Sequence, residues 1–260
     1  MHIVALPAFR DNYIWMIHDT RSAVVVDPGD ASVVLEACAP GGVQAQGLQL
    51  SGILVTHHHP DHTGGIAGLL RLGPIPVWGP AQEEIGGVSQ RVAGGDTVLV
   101  ESPALRLQVL EVPGHTLGHI AYHCPEHEWL LCGDTLFSAG CGRLFEGTPA
   151  QMLQSLELLA ALPARTQVLC AHEYTLSNLQ FARRVDPANA DVESYLQWCE
   201  KRREQNLPTL PSSLQRELLV NPFLRSDQAA IREQLREHFG RPAADRVEAF
   251  AMLRQWKNES

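Results

Sequence analysis

Leu54-Val-Thr-His-His-His-Pro-Asp-His-Thr-Gly-Gly65 decides the reading of this chain. An apolar run, Ile53–Val55, leads into His57, His58, His59, Asp61 and His62, and Gly64–Gly65 then opens a short amphipathic helix. Neutral imidazole and carboxylate suit zinc, iron, nickel and manganese. A packed core gains nothing from so many polar rings that each need a partner. The run is internal, is interrupted by Pro60 and Asp61 and has strand-like and helix-like flanks, which a surface histidine tract or a purification tag would lack. On period-two reasoning His58 points away from His57 and His59, which leaves it outside a ligand set.

The same pattern recurs downstream. Leu105–Val112 runs into Pro113-Gly-His115, Trp129–Cys132 into Gly133-Asp134, and Gln167–Cys170 into Ala171-His172. Each time a β-prone run ends and a metal-capable side chain follows. Strands fix the loops at their ends rigidly, so four strand ends can converge on one centre. His57, His59, Asp61, His62, His115, Asp134 and His172 make seven candidate donors. A catalytic zinc takes three protein ligands and leaves a position for water, so seven donors fit two ions sharing a carboxylate.

Around these runs the first part of the chain reads as mixed α/β. Tyr13–Ile17 and Ala23–Val26 pair across a turn near Asp19–Ser22, and Asp27-Pro28-Gly29 is a second turn. Asp30 caps a helix through Cys38, Leu48–Val55 is a strand, a helix covers Ile66–Leu72, and Pro74–Trp78 is extended. Thr148-Pro149 starts a helix expected to reach about Leu162. Beyond His172 the pattern turns helical, with amphipathic segments at Asn178–Val185, Val192–Glu204, Asp227–Phe239 and Ala243–Trp256 and a proline-rich connection at Leu207–Pro211. The expected division is 1–173, a catalytic α/β domain, and 174–260, a helical substrate-binding domain.

With 260 residues, 45% apolar and 19% charged, the chain has an ordinary globular composition. A net charge of −9 disfavours a nucleic-acid partner. No apolar run is long enough for a membrane span, and the first residues do not resemble a signal peptide. A cytoplasmic monomer without membrane or nucleic-acid partners is the expectation. The six cysteines have no Cys-x-x-Cys spacing and read as small buried hydrophobes kept reduced.

Thr56-His-His-His-Pro-Asp-His62, with His115, Asp134 and His172 following in order, resembles the His-x-His-x-Asp-His signature of metallo-β-lactamase-fold hydrolases. The resemblance implies an αββα sandwich followed by a smaller all-helical C-terminal domain. It further implies His57, His59 and His115 on one metal, Asp61, His62 and His172 on the other, and Asp134 bridging. Pro113-Gly-His-Thr-Leu-Gly-His119, Cys132-Gly-Asp-Thr-Leu-Phe137, Gly140-Cys-Gly-Arg-Leu-Phe-Glu-Gly147, Ala171-His-Glu-Tyr174 and Asn221-Pro-Phe-Leu-Arg225 are similar to glyoxalase II, the hydroxyacylglutathione hydrolase family. His119 and Asp27 match family positions as structural or supporting residues.

That family implies hydrolysis of S-D-lactoylglutathione to D-lactate and glutathione, the second step of methylglyoxal detoxification. Two divalent ions, zinc first and iron or manganese admitted, would supply a bridging hydroxide, with Asp61 and Asp134 as the catalytic carboxylates. Arg254 and Lys257, three apart on one helical face, match the pair that holds the glycine carboxylate of glutathione. Arg143 and Tyr174 match positions lining the same pocket. Phe145 departs from the tyrosine of eukaryotic members and removes a hydroxyl. The alternative on the same fold is a mono-iron glutathione persulfide dioxygenase, in which Asp61, His62 and His172 would be spare.

Overall fold

The computed structural model describes residues 1–260, which divide into two compact units: Met1–Glu111 with Gly118–Gly133, and Val112–Leu117 with Asp134–Ser260.

The first unit begins with β1 (His2–Ala8), β2 (Asn12–His18) and β3 (Ser22–Val26), paired antiparallel in sequence. The β2–β3 turn is closed by Asp19, whose Oδ1 accepts from the amides of Arg21 (2.7 Å) and Ser22 (2.8 Å). After α1 (Ala31–Cys38), capped by Asp30, come β4 (Gln49–Leu54), α2 (Pro60–Thr63), α3 (Ile66–Leu69) with a 3₁₀ turn at Leu70–Leu72, β5 (Val77–Pro80) and β6 (Gln90–Val92). The six strands lie in the order β1 to β6, and the pairings from β3 onward are parallel. Parallel strands release their following loops at one end, so the turn after β3 and the histidine loop after β4 emerge side by side. Val25, Ile53, Val55, Ile66, Leu69 and Val77 are buried in the core beneath them.

Still in the first unit, β7 (Thr97–Val100), β8 (Leu105–Glu111), β9 (Ile120–Cys124) and β10 (Trp129–Gly133) pair antiparallel. β8 alternates buried and exposed residues as a strand with one face on the core must. The start of β9 is tied to the histidine loop, because the Ile120 amide donates to the Thr56 carbonyl (3.0 Å).

The second unit holds the hairpin β11 (Leu136–Phe137) and β12 (Gly140–Cys141), then α4 (Pro149–Ala160), β13 (Gln167–Cys170), α5 (Thr175–Val185), α6 (Ala190–Glu204), β14 (Ser212–Ser213), α7 (Leu214–Val220), α8 (Ala229–Phe239) and α9 (Arg246–Asn258). α4 opens on a full capping box: Thr148 accepts from the Gln151 amide, and the Gln151 side chain accepts from the Thr148 amide. Its core is Leu179, Ala182, Val192, Leu196, Cys199 and Val220 from α5, α6 and α7.

Several elements depart from expectation for local reasons. β1 contains Pro7, which reads as a strand breaker but is tolerated because β1 is an edge strand. α7, at Leu214–Val220, lies just beyond the proline-rich connection Leu207–Pro211, in residues for which no element was expected. Residues 174–260 are helical except for two-residue β14, which pairs with β13. None of the six cysteines forms a disulfide, and five of them are buried. No helix is long and apolar enough to cross a membrane.

Candidate metal centre

In the first unit, Asp27 organises the donors. Its backbone is left-handed (φ 53°) and its carboxylate is buried. Oδ1 accepts from the Thr56 amide (2.8 Å), Oδ2 accepts from Thr56 Oγ1 (2.7 Å), and Oδ2 lies 3.1 Å from His62 Nδ1. With Nδ1 held there, Nε2 of His62 faces Asp61 Oδ2 at 3.3 Å. Asn12 Nδ2 donates to the same Asp61 oxygen at 2.9 Å. His57 Nδ1 lies 3.0 Å from Thr56 Oγ1, which turns its Nε2 to within 3.1 Å of His59 Nδ1. His119 is fully buried and stacks on His57, ring centroids 4.6 Å apart. The donor atoms of Asp27, His57 and His62 all lie within 4.8 Å of one another. His58 is only partly buried and its ring meets His59 edge-on.

In the second unit, His115 Nδ1 is engaged by the Arg143 carbonyl (2.8 Å), an arrangement that fixes the tautomer with Nδ1 as donor. Nε2 of His115 then lies 3.5 Å from Asp134 Oδ2, and Nε2 of His172 lies 3.4 Å from Asp134 Oδ1. Each oxygen of one carboxylate therefore faces a different imidazole. Tyr174 stacks on His172 with centroids 4.7 Å apart and planes 7° from parallel.

These distances test whether the residues suit a metal. Two ligands bound at 2.0–2.1 Å to a tetrahedral ion sit about 3.3 Å apart. His57–His59, Asp61–His62, His115–Asp134 and His172–Asp134 fall at 3.1, 3.3, 3.5 and 3.4 Å. Side-chain oxygens or carbonyls holding the far nitrogens of His57, His62 and His115 are the outer partners that metal-ligating histidines need. Thiolate is absent from the set. The donors fit divalent zinc, iron or manganese, and their chemistry does not choose among them.

Beside Asp134 and His115, in the second unit, opens a cavity of about 500 Å³ whose lining includes Arg143, Tyr174, Arg254 and Lys257. α9 presents the last two. Arg254 is buried, donates through Nη1 to the Cys141 carbonyl (2.9 Å) and lies over the Phe223 ring. Lys257 donates to the Ser177 carbonyl (2.8 Å). Desolvation pushes its amine down to about 8, and the guanidiniums of Arg254, Arg184 and Arg143 push the same way. Phe145 is 63% exposed and meets His115 edge-on at 5.2 Å.

Beneath the cavity, the turn of the β11–β12 hairpin is anchored by Glu217, which is fully buried. Its Oε2 accepts from the Ala139 amide (2.7 Å) and Asn221 Nδ2 (3.0 Å), and its Oε1 accepts from Ser138 Oγ (3.2 Å) and Ser212 Oγ. Burial raises its pKa. Sequence reading did not single out Glu217 or Asn12. Neither belongs to a metal-like spacing, and their roles appear only when distant segments meet.

Comparison with known proteins gives consistent results. The model of the metallo-beta-lactamase superfamily matches residues 8–87 and 91–172, and that of the hydroxyacylglutathione hydrolase C-terminus matches 173–260. A hydroxyacylglutathione hydrolase of Albidiferax ferrireducens is 54% identical over 262 residues, covering 100% of both chains. One of Cupriavidus taiwanensis is 52% identical over 268 residues, covering 99% of this chain and 98% of its own. Among solved structures, that of ETHE1 from Myxococcus xanthus superposes with a TM-score of 0.65 at 24% identity over 99% of this chain and 100% of its own, a likeness of fold.

Proposed function

The chain belongs to the hydroxyacylglutathione hydrolase family of the metallo-beta-lactamase superfamily, and from that membership we propose that it hydrolyses S-D-lactoylglutathione to D-lactate and glutathione. The observation that carries the proposal is full-length identity near 50% to relatives of that one name, together with a cavity that puts Arg254 and Lys257 in one wall system with Asp134 and His115. The mono-iron dioxygenase alternative is not favoured, since residues 173–260 match the hydrolase's own C-terminal model.

His57, His59 and His115 would hold one divalent ion and Asp61, His62 and His172 a second, with Asp134 shared; zinc is the first choice. When bound, such ions supply Lewis acidity and bring the pKa of water from 15.7 towards about 7. The protein's own part is positioning. Asp134 presents one oxygen to His115 and one to His172, and Asn12 fixes the Asp61 carboxylate. Arg143, Arg254 and Lys257 supply cations for a leaving group that carries two carboxylates, in a chain whose net charge is −9. Tyr174, stacked on His172, offers an aromatic wall and a hydroxyl. Water adds to the thioester carbonyl carbon, a C–O bond forms and the C–S bond breaks; glutathione departs as a thiolate that needs no strong acid and takes up one of the water's protons afterwards, and the other is released with lactate. Buried Cys141 is not a rival nucleophile, because burial raises its thiol to about 11.

Residues 174–260 act as the substrate-binding domain in this reading. We place the protein in the cytoplasm, where six cysteines without a disulfide are at home, and as a monomer. The deciding experiment is steady-state hydrolysis of S-D-lactoylglutathione by protein whose metal content is counted in the same sample. Rapid turnover with about two ions per chain supports the reading. Two ions without turnover would refute the substrate while leaving the metal assignment standing.

A further inference from the structure

Lysine is nearly absent from this chain. Of its 20 cationic Lys and Arg residues only Lys201 and Lys257 are lysines, so 18 are arginine. Lys201 sits exposed on α6. Lys257 is half-buried in the wall of the cavity that also contains Asp134 and His115. Its amine donates to a neutral carbonyl, that of Ser177, and it lies 5.5 Å from the Phe181 ring centroid. The charged groups facing it are cations: Arg254 on its own helix, Arg184 on α5 and Arg143 on the loop after the hairpin. Asp134 is the single acidic side chain among the residues lining the cavity, and the other carboxylate there is that of the terminal residue, Ser260. An amine in such a place loses its proton easily and becomes a nucleophile in the chamber proposed to receive a thioester.

We propose that Lys257 is an acylation site for thioesters admitted to this cavity, an inference that rests on the thioesterase reading above. Nζ attacks the thioester carbonyl carbon, an N–C amide bond forms and the C–S bond breaks. The proton lost by nitrogen leaves with glutathione as its thiol, so the step needs no oxidant or further reactant. Productive binding opposes it, because a glutathione carboxylate against Nζ favours the ammonium. The reaction therefore belongs to moments when the carboxylate subsite is empty, and it is slow beside turnover. Its product is a neutral amide where the cavity needs a cation, so thioester in excess weakens the enzyme's hold on its own substrate.

Arginine at the other 18 cationic positions resists this chemistry, since a guanidinium does not give up its proton in proteins. The two lysines thus form a built-in comparison, one in the cavity and one outside it. A drop in amine pKa from 10.5 to about 8 raises the neutral fraction a few hundredfold near neutral pH. Lower basicity gives part of that back as lower nucleophilicity, and the expectation is about tenfold more label on Lys257, which lines the cavity, than on Lys201, which lies outside it.

The test uses the full-length, metal-counted enzyme given repeated additions of S-D-lactoylglutathione, with hydrolysis followed in the same tube and adducts located by intact mass and peptide mapping. Supporting results are one lactoyl adduct mapping to Lys257, its suppression by S-methylglutathione, and a KM that climbs during pre-incubation at constant kcat. Lys257→Arg, which keeps the charge, should show neither adduct nor climbing KM. Equal label on both lysines, or hydrolysis with both unlabelled, overturns the proposal. Hydrolysis and labelling are read separately, so missing hydrolysis counts against the thioesterase assignment, whereas the labelling pattern alone judges Lys257.

Discussion

Gly29→Ala should disable the metal centre without touching a donor. A Cβ at Gly29 would lie 1.9 Å from the carbonyl oxygen of Asp61 and 2.7 Å from Phe9 Cε2. Real Cβ contacts are not found below 3.0 Å, so the two backbones must part by at least 3.0 − 1.9 = 1.1 Å. The neighbour cannot swing aside, because it is main chain held in α2 by the His62 amide to His59 carbonyl bond (3.0 Å) and the Gly64 amide to Pro60 carbonyl bond (2.7 Å). The displacement passes to Asp61 and His62, whose donor atoms sit 3.3 Å apart. A misplacement of about 1 Å at a reacting centre costs about 100-fold in rate, and overpacking of this kind costs about 1–3 kcal/mol of stability. The assay is metal content by elemental analysis, kcat at saturating added metal, and urea unfolding. Gly86→Ala is the control, since nothing lies within 4 Å of its added Cβ. Full metal content with wild-type kcat in Gly29→Ala would refute the reasoning, because it would mean the Asp27–Gly29 turn does not set the position of the histidine loop.

Lys257→Ala should raise KM for glutathione thioesters about 10- to 100-fold at nearly constant kcat, the loss of a hydrogen bond to a charged group; an unchanged KM removes Lys257 from the pocket. Because burial and three arginines lower the amine to about 8, the free enzyme loses this cation as pH rises through that value. The kcat/KM profile should therefore fall above about pH 8, and Lys257→Arg should carry the plateau further; coincident alkaline limbs would assign the fall to another group. Asp134→Ala should lose most of the bound metal, and two retained ions with normal turnover would sink the shared-ligand assignment. Glu217→Ala strips a buried network of its acceptor and should cost about 1–3 kcal/mol in urea unfolding, whereas no measurable loss would show that water replaces the carboxylate.

The seven candidate donors could be picked out in the sequence because each follows the end of a β-prone run, and that local pattern survives whatever the strands do next. The helical region was legible from amphipathic periodicity, as at Val192–Glu204, although the Asn189 cap that starts α6 two residues earlier was not read; α4 was legible from Thr148-Pro149. Asp27 was only half legible. In sequence it heads a turn, Asp-Pro-Gly, and turns explain themselves. Its reach to Thr56 and His62 depends on β3 and β4 being parallel neighbours, and no spacing along the chain encodes that.

The Gly64–Gly65 pair shows how a correct local reading can miss its cause. The two glycines do lead into α3, but helix initiation does not require them. A Cβ at Gly64 would lie 2.9 Å from the Gly29 carbonyl oxygen, and one at Gly65 would lie 2.5 Å from that of Pro28. The Gly65 amide also donates to the Pro28 carbonyl at 2.9 Å. Three glycines on two loops, Gly29, Gly64 and Gly65, thus let the Asp27-Pro28-Gly29 turn lie against the backbone that carries Asp61 and His62. Only at that closeness can Asp27 reach His62 Nδ1 at 3.1 Å and turn Nε2 towards Asp61. The glycines contribute no ligand and no charge, yet the ligand geometry of the first unit follows from the space they leave empty.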